Sequence, residues 1–362
     1  VLFILLAVGL IVLSEIIARY GVTVDYTDAA GESVVVEAVS LMTGDGLAYI
    51  FKSAVTNFTG FAPLGTVLVA MLGVGVAEWT GLIGTTLKRL LQNVPTSLLT
   101  AAVLFAGIVS NIASDAGYVV VIPLGAIVFA AAGRHPIAGL AAAFAGVSGG
   151  FSANIMFGPT DALLAGITNE ALTSAGYNYE VAVTANWYFL IVSTFVLTAV
   201  GAYVTEKIVE PRLGEYTGDY QPDDEPVTDD EKRGMRNALI ALVLFLAVMA
   251  FLMIPENAPL RALNEDTGQM TLDNFLANGL LFMIFLLFAI PGYFYGKTTG
   301  KIKNSHDLVT GMTEAMRSMG GYLVLAFFAA QFINYFSYTN LGTILAVSGA
   351  RMLENIGFVG LP

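Results

Sequence analysis

Long hydrophobic runs separated by polar connecting segments make up most of this chain. A helix that crosses the hydrocarbon core of a bilayer needs about 20 mostly apolar residues. Five runs approach that length, and each predicts a membrane-spanning helix: Val1–Ala18, Phe61–Trp79, Trp187–Thr205, Asn237–Ile254 and Phe275–Tyr295. Shorter or interrupted apolar runs fill most of the remaining chain. The pattern therefore predicts an all-α polytopic membrane protein.

The composition agrees with this prediction and excludes several functions. The mean hydropathy is +0.74, and only 12% of the residues are charged, against roughly a quarter in soluble domains. Without cysteine and with only two histidines, the chain can form neither a disulfide framework nor a thiolate metal site, and an imidazole cluster is disfavoured. The spans contain no HExxH motif, paired aspartates or Ser/His/Asp set. We therefore predict no enzyme activity, no cofactor, no resident metal and no nucleic-acid partner.

The distribution of charge along the chain predicts the topology. The segment from Asp25 to Asp45 holds five acidic residues and no lysine or arginine, although the net charge of the whole chain is −12. Lysine and arginine collect in other loops, which the positive-inside rule places in the cytoplasm. The predicted cytoplasmic segments are Lys88–Arg89, Lys207–Arg236 and Gly296–Asp307, and the predicted outside segments are Thr23–Gly60, Thr168–Asn186 and Pro255–Asn274.

A run of hydrogen-bonding residues, SNIASD at Ser110–Asp115, interrupts the apolar sequence between Lys88 and Arg134. Two full spans or one re-entrant hairpin would both satisfy the positive charge at the two ends. The run lacks Pro/Gly turn chemistry, and the first apolar arm is short for a core of about 30 Å. We therefore predict a hairpin over about residues 96–133 that enters from the cytoplasm, with its tip near the midplane and facing protein or an aqueous cavity.

A second interruption, SGGFSANIMFGPTD, follows the apolar run Ile137–Val147. Its glycines and proline predict a helix broken in mid-membrane, over about residues 137–167, whose half-helix ends suit ions of opposite sign. Together with the hairpin tip, this break predicts a transport site. The candidate substrate-binding residues are Ser110, Asn111, Ser114, Asp115, Gly149, Gly150, Ser152, Asn154, Thr160 and Asp161.

Structural explanations stay open for several of these residues. Ser110, Asn111 and Ser114 can simply satisfy the backbone groups at a helix end or form a helix–helix contact. Asp115 fits the N-cap of the next helix as well as a ligand role. Asp161 can likewise cap a short helix, but a carboxylate at membrane depth is typical of function. Because burial favours the protonated form of a carboxylate, Asp161 is also the candidate for proton coupling.

An internal repeat is predicted from two similar segments, Thr80–Pro95 and Thr339–Pro362, each of which follows an aromatic residue and a Gly-led apolar stretch. Their deduced orientations in the membrane are opposite, which is typical of inverted-repeat secondary transporters. The predicted organisation is a first repeat over residues 1–213, an acidic cytoplasmic linker over 214–236 and an incomplete second repeat over 237–362. We expect a second hairpin and a second broken helix beyond Pro362, so that the chain is truncated at its C-terminus.

Three strings carry a resemblance to a known family: SNIASDAGYVVVIPL, GRHPIAGLAAAFAGVSGGFSANIMFGPTDALLAGIT and the segment Val204–Tyr216. They resemble the p-aminobenzoyl-glutamate transporter (AbgT) family over nearly the whole chain. SNIASD followed by IPL is also similar, more distantly, to the hairpin tip of the divalent-anion/sodium symporters, whose fold the AbgT family resembles. The family's functional acidic residue matches Asp161, whereas its second-hairpin and RIGD-type positions have no counterpart before Pro362.

The resemblance implies a bowl-shaped homodimer in the bacterial inner membrane. It also implies movement of p-aminobenzoyl-glutamate, or export of sulfonamide-like antimetabolites, driven by the proton motive force. The alternative function is a sodium-coupled importer of small carboxylates, because the Ser-Asn tip and unwound carbonyls suit a hard cation near Ser110, Asn111 and Gly149.

Overall fold

The computed structural model describes residues 2–27, 33–92, 94–113, 117–174, 179–217, 227–263 and 268–356, most of which are helical. The elements of the first half, in chain order, are α1 Leu2–Arg19, β1 Thr23–Thr27, β2 Ser33–Glu37, α2 Gly44–Thr59, α3 Ala62–Trp79, α4 Leu82–Gln92, α5 Leu99–Ser110, α6 Ile122–Ala131, α7 Pro136–Phe144 and α8 Pro159–Ser174. Those of the second half are α9 Trp187–Val204, α10 Glu210–Leu213, α11 Asp229–Met253, β3 Ala262–Leu263, β4 Met270–Thr271, α12 Asp273–Asn278, α13 Leu280–Thr298, α14 Ser305–Ser318, α15 Gly320–Tyr338 and α16 Leu341–Ile356. Short 3₁₀ turns lie at Thr96–Leu98 and Asn111–Ala113, and π-helical turns at Gly117–Val121, Ala145–Gly149 and Thr205–Val209.

Six helical segments in the described ranges are long and apolar enough to cross a membrane. Five of them overlap the five predicted spans, and the sixth is α15. The all-α polytopic prediction is therefore confirmed, and the two pairs of short strands lie in connecting segments.

The C-terminal end of the predicted acidic linker is helical. The sequence placed the linker over 214–236, but α11 begins at Asp229. A capping box starts the helix: the Thr228 side chain accepts the N–H of Glu231, and the Glu231 carboxylate accepts the N–H of Thr228 at 2.7 Å. Charged residues were assigned to a linker because they cannot lie in the hydrocarbon core. They form instead the first turns of a helix that is longer than its apolar part.

The segment Thr23–Gly60, predicted to lie outside the membrane, is mostly regular structure in its described part. β1 and β2 pair antiparallel, with Thr23 opposite Glu37. α2 then begins at a capped end, where the side chain of Thr43 accepts the N–H of Gly46 at 3.1 Å. The prediction missed these elements because acidic residues dominated the segment, while the strand pairing and the cap depend on local hydrogen bonds.

The described chain divides into two compact units, each discontinuous in sequence. One contains residues 1–65, 164–181 and 319–362, and the other contains 66–163 and 182–318. In the first unit, the side chain of Asn57 on α2 donates to Gln331 on α15 at 3.0 Å, and both residues are buried. The second unit contains the predicted hairpin and the broken helix as far as residue 163, so the candidate site residues belong to it.

The predicted hairpin is a pair of short helical arms. α5 has 12 residues, or about 18 Å at 1.5 Å per residue, which is too short to cross a core of about 30 Å. After the tip, the chain returns to the end of α5: a Cβ atom on Gly117 would lie only 2.1 Å from the hydroxyl oxygen of Ser110. The short arms and the close return favour the hairpin over two full spans.

The second arm of the hairpin, α6, packs directly against α7. A Cβ atom on Gly139 would lie 2.2 Å from the carbonyl oxygen of Gly125, so the two backbones touch at glycine. At the turn between these helices, Arg134 forms a two-pronged ion pair with Glu210 on α10, with N–O distances of 2.8 and 2.5 Å. Its guanidinium also lies 4.2 Å from the ring centroid of Phe129. These contacts anchor the base of the hairpin.

The two predicted repeat segments share their local backbone geometry. In each, a buried threonine, Thr80 or Thr339, follows an aromatic residue that ends a helix. The next residue, Gly81 or Asn340, has left-handed backbone angles, with φ of 91° and 58°. Each donates its N–H to the carbonyl three residues earlier, at 2.9 and 3.0 Å, and the next helix follows at once. Residues 93 and 357–362 of these segments lie outside the described ranges.

The succession of helices around these turns also repeats. Helices α2, α3 and α4 have 16, 18 and 11 residues, and α14, α15 and α16 have 14, 19 and 16. The match supports the predicted duplication. Opposite orientation of the copies, and the division at 1–213 and 237–362, stay predictions.

Candidate functional site

The first arm of the hairpin lies directly against the broken helix. A Cβ atom on Gly146 would be 2.6 Å from the carbonyl oxygen of Leu104, and one on Gly107 would be 3.0 Å from the backbone of Ala143 and Val147. No larger residue fits at this contact without moving a backbone. The glycines therefore bring the hairpin tip within hydrogen-bonding distance of the π-helical turn Ala145–Gly149.

Asn111 joins the hairpin tip to the point where the second helix unwinds. Its Nδ2 atom donates to the carbonyl oxygens of Ile108 and Val147, both at 3.1 Å, and approaches that of Gly150 at 3.5 Å. The π turn supplies the Val147 acceptor and the residue after it supplies Gly150, because carbonyls at the end of a helix lack intrahelical partners. Asn111 is 8% exposed, so its amide bonds are sheltered from water.

The other polar atom of this amide has no partner. The Oδ1 atom of Asn111 is buried and accepts no hydrogen bond from the described part of the chain. A buried acceptor in this condition costs free energy unless a ligand or water satisfies it. Because it is a neutral amide oxygen near helix-end carbonyls, it fits the oxygen ligands that a hard cation prefers. The described residues contain no cluster of three or more His, Asp or Glu that would hold a different kind of metal.

Ser110 is buried beside Asn111, and its hydroxyl donates to the carbonyl of Gly107 at 2.6 Å. This bond is the helix-end contact expected from the structural explanation. Since a hydroxyl keeps acceptor capacity after it donates, the bond does not exclude a further contact. A pathway role for Ser110 therefore stays a prediction.

The broken helix is irregular from Gly150 to Gly158. Gly150 is buried, and a Cβ atom there would meet Ile108 at 2.4 Å, whereas a Cβ on Gly149 would meet nothing within 4 Å. Ser152 is exposed. Asn154 is buried, and its side-chain oxygen accepts the N–H of Ile155 at 2.9 Å, so Asn154 stabilises the turn.

The far end of the unwound segment returns to the hairpin tip. Gly158 lies beside Ile112, since a Cβ atom on the glycine would be 3.8 Å from the Ile112 backbone. α8 begins at the next residue, and Asp161 in its first turn accepts the N–H of Gly158 at 2.7 Å. This contact is compatible with the structural explanation of Asp161 as a residue that stabilises the start of α8, and a transport role for its charge stays a prediction.

The structure thus brings some of the predicted residues together and separates others. Ser110, Asn111 and Gly150 form one buried contact, to which Asn154 adds local support. Gly149, Ser152 and Thr160 are exposed beside the unwound segment, so they can contact a solute. Ser114 and Asp115 lie outside the described residues.

Two further residues that contact the broken helix were not predicted from the sequence. The indole Nε1 of Trp187 donates to the carbonyl of Ile155 at 2.9 Å, and its ring packs edge-on to Phe157. Tyr118 hydrogen-bonds to Ser148 through the two hydroxyl groups at 3.1 Å. In the sequence, Trp187 stands only at the start of a predicted span, where an aromatic residue is typical of the membrane interface. No signal in the sequence pairs it with a carbonyl 32 residues earlier.

A polytopic helical chain in which a short hairpin meets an unwound helix belongs to the class of secondary membrane transporters. Comparison with known proteins places it within that class. The chain belongs to the AbgT putative transporter family, whose model matches residues 1–362. It is a multi-pass membrane transporter and not an enzyme, as the sequence predicted.

Three relatives illustrate the match. The chain is 38% identical over 362 residues to the p-aminobenzoyl-glutamate transport protein of Escherichia coli, covering all of this chain and 70% of the relative. It superposes on the YdaH transporter of Alcanivorax borkumensis with a TM-score of 0.89 and 43% identity, covering 100% of this chain and 74% of the other. For MtrF of Neisseria gonorrhoeae, described as illuminating a class of antimetabolite efflux pumps, the TM-score is 0.90 at 43% identity, covering 99% and 72%.

Proposed function

We propose that this transporter moves p-aminobenzoyl-glutamate, exports sulfonamide-like antimetabolites, or does both, driven by the proton motive force. The contact between Asn111 and the unwound segment carries this proposal, because it sets a polar, partly unsatisfied surface beside free helix ends. The names of the Escherichia coli and Neisseria gonorrhoeae relatives supply the substrate class. We further propose that the protein works as a homodimer in the bacterial inner membrane.

In the proposed mechanism, an anionic substrate competes with Asp161 for the positive end of α8. The carboxylate of Asp161 accepts the N–H of Gly158, and the free amides at a helix N-terminus favour negative charge. Proton uptake by Asp161 removes that competing charge and leaves a weaker, neutral acceptor on the N–H, which a substrate carboxylate can displace. Substrate and proton binding are thereby coupled at one helix end.

The proposed coupling predicts that an imposed pH gradient alone drives substrate flux. The experiment uses the full-length protein in proteoliposomes, labelled p-aminobenzoyl-glutamate, and a pH gradient or a sodium gradient imposed separately. We expect flux with the pH gradient and only background flux with the sodium gradient. Flux that ignores both gradients contradicts gradient coupling altogether.

Sodium-coupled import of small carboxylates is the second candidate function. The buried, unpartnered Oδ1 atom of Asn111 favours it, because amide and carbonyl oxygens suit Na⁺ as they suit other hard cations. Ser110 and the open backbone near Gly149 are the other candidate contacts. Flux driven by sodium and indifferent to pH would replace the first candidate with this one.

We expect Asp161→Asn to remain membrane-inserted but to lose most of its pH-driven flux. The asparagine side chain keeps an oxygen that can accept the Gly158 N–H, so the helix cap survives while the titratable charge is lost. Substrate binding, measured by titration calorimetry, is expected to persist. Asp161→Ala, which removes both cap and charge, serves as the comparison. Normal pH-driven flux in Asp161→Asn would remove Asp161 from the coupling mechanism.

A further inference from the structure

A cavity of about 590 Å³ lies between α11 and α13. Its volume is within the range of about 300–1,000 Å³ that is usual for ligand pockets. Apolar side chains form nearly all of its lining, among them Leu244 and Val248 on α11 and Ile290 and Phe294 on α13. Leu244 and Val248 are 61% and 55% exposed. Because both helices are long and apolar enough to be spans, the open side of this groove faces the bilayer.

One end of the groove is polar and lies near two cationic side chains, one of them beside Asp230. There, Nδ2 of Asn237, on the groove wall, donates to the hydroxyl of Thr298 at 2.9 Å. Helical periodicity places Arg233 one turn before Asn237 and Lys297 one turn after Phe294, on the faces that line the groove. Both residues are exposed. This is the end that the positive-inside rule places at the cytoplasmic surface.

Arg233 and Lys297 can each still bind an anion, because their contacts within the protein are weak or incomplete. Arg233 has a long 3.9 Å contact with Asp230, whose side chain is 76% exposed, and such a contact is weak in water. Lys297 donates to the backbone carbonyl of Lys303 at 3.2 Å, so it keeps two further ammonium protons for another acceptor. The groove therefore combines an apolar lining with two cationic side chains, Arg233 and Lys297, at one end, which is called the cationic mouth.

We propose that this groove binds an anionic phospholipid, with an acyl chain along the apolar wall and the phosphate between Arg233 and Lys297. Basic sites between spans at the cytoplasmic surface suit anionic lipid headgroups. A second copy of the chain fits less well, because a two-fold axis along the membrane normal would bring two cationic mouths together at the same depth.

The charge requirement is tested by native mass spectrometry of the full-length protein, with equal amounts of phosphatidylglycerol and phosphatidylcholine as probes. We expect wild-type protein to retain phosphatidylglycerol in preference to phosphatidylcholine by at least fivefold. The double variant Arg233→Gln/Lys297→Gln should lose that preference. The matched control Lys207→Gln/Arg212→Gln removes the same charge from exposed residues on another cytoplasmic segment and should keep it. Absence of a preference, or equal loss in both variants, would overturn the proposal.

The acyl-chain requirement is tested by filling the groove. Leu244→Trp places a large ring in the cavity, and we expect it to lower the number of retained lipids. Leu239→Trp is the matched control, because Leu239 is on α11, is 59% exposed and is not among the groove residues. Unchanged lipid retention in Leu244→Trp overturns the acyl-chain site and leaves at most a phosphate site. Loss of the dimer with unchanged lipid retention would identify a second copy as the occupant.

Discussion

Replacing Asn111 with aspartate will lower the free energy of unfolding by about 2–4 kcal/mol and reduce flux at least tenfold. The Nδ2 group of Asn111 donates to the carbonyls of Ile108 and Val147. A carboxylate oxygen in its place would face two carbonyl oxygens in a buried setting, so repulsion and an unpaired buried charge replace two hydrogen bonds. Thermal unfolding in detergent and proteoliposome flux measure the two effects.

Asn154→Asp is the matched control for this substitution. Asn154 is as buried as Asn111. Its hydrogen bonds differ, because its side-chain oxygen accepts the N–H groups of Ile155 and Met156, whereas Asn111 donates through its side-chain nitrogen. Aspartate keeps that acceptor, and we expect the unfolding midpoint to stay close to that of wild type. Equal destabilisation by both substitutions would mean that the direction of the hydrogen bonds at Asn111 is unimportant.

A single methyl group at Gly146 is expected to separate the hairpin from the broken helix. The Cβ atom of alanine would lie 2.6 Å from the carbonyl oxygen of Leu104, so one backbone must move. Overpacking of this kind costs about 1–3 kcal/mol, and more when the backbone cannot relax. The Asn111 bonds depend on that contact, so flux should fall together with stability. Thermal unfolding and hydrogen exchange of the segment Ala145–Gly158 provide the measurements.

Gly149 offers the control from the same π turn. A Cβ atom there would meet nothing within 4 Å, and neither glycine has positive φ. We expect Gly149→Ala to unfold at the wild-type temperature. If Gly146→Ala does so as well, the backbone contact is not what holds the hairpin tip in place.

The sequence predicted the hairpin and the broken helix because polar residues and glycine are rare in apolar runs. Ser110, Asn111 and Gly150 could be chosen on that ground alone, and the structure brings them together. Polarity could not tell which amide atom of Asn111 is satisfied, since that depends on where the Val147 carbonyl points. The contribution of Trp187 was missed for the same reason, because its partner lies in another element.

The ends of the helices were predicted well where hydropathy sets them and poorly elsewhere. The ends of α1 and α3 agree with the limits of their apolar runs, because hydropathy alone sets them. α11 begins in charged sequence, where the Thr228–Glu231 capping box determines the start. The π turn at Ala145–Gly149 left no periodic signal, since it depends on Gly146 packing against the hairpin. Polar and glycine positions in apolar sequence were thus enough to predict the two elements of the site, whereas the direction of each hydrogen bond between them was not predictable.

The left-handed turns at Gly81 and Asn340 suggest how such a chain changes over evolutionary time. Glycine adopts this backbone at little cost, and asparagine is among the few other residues that tolerate it. After a duplication, only a few residue types are tolerated at this site, whereas the helix surfaces on either side can diverge freely. A search for ancient kinship between the halves of such transporters should therefore weigh backbone constraints above side-chain identity.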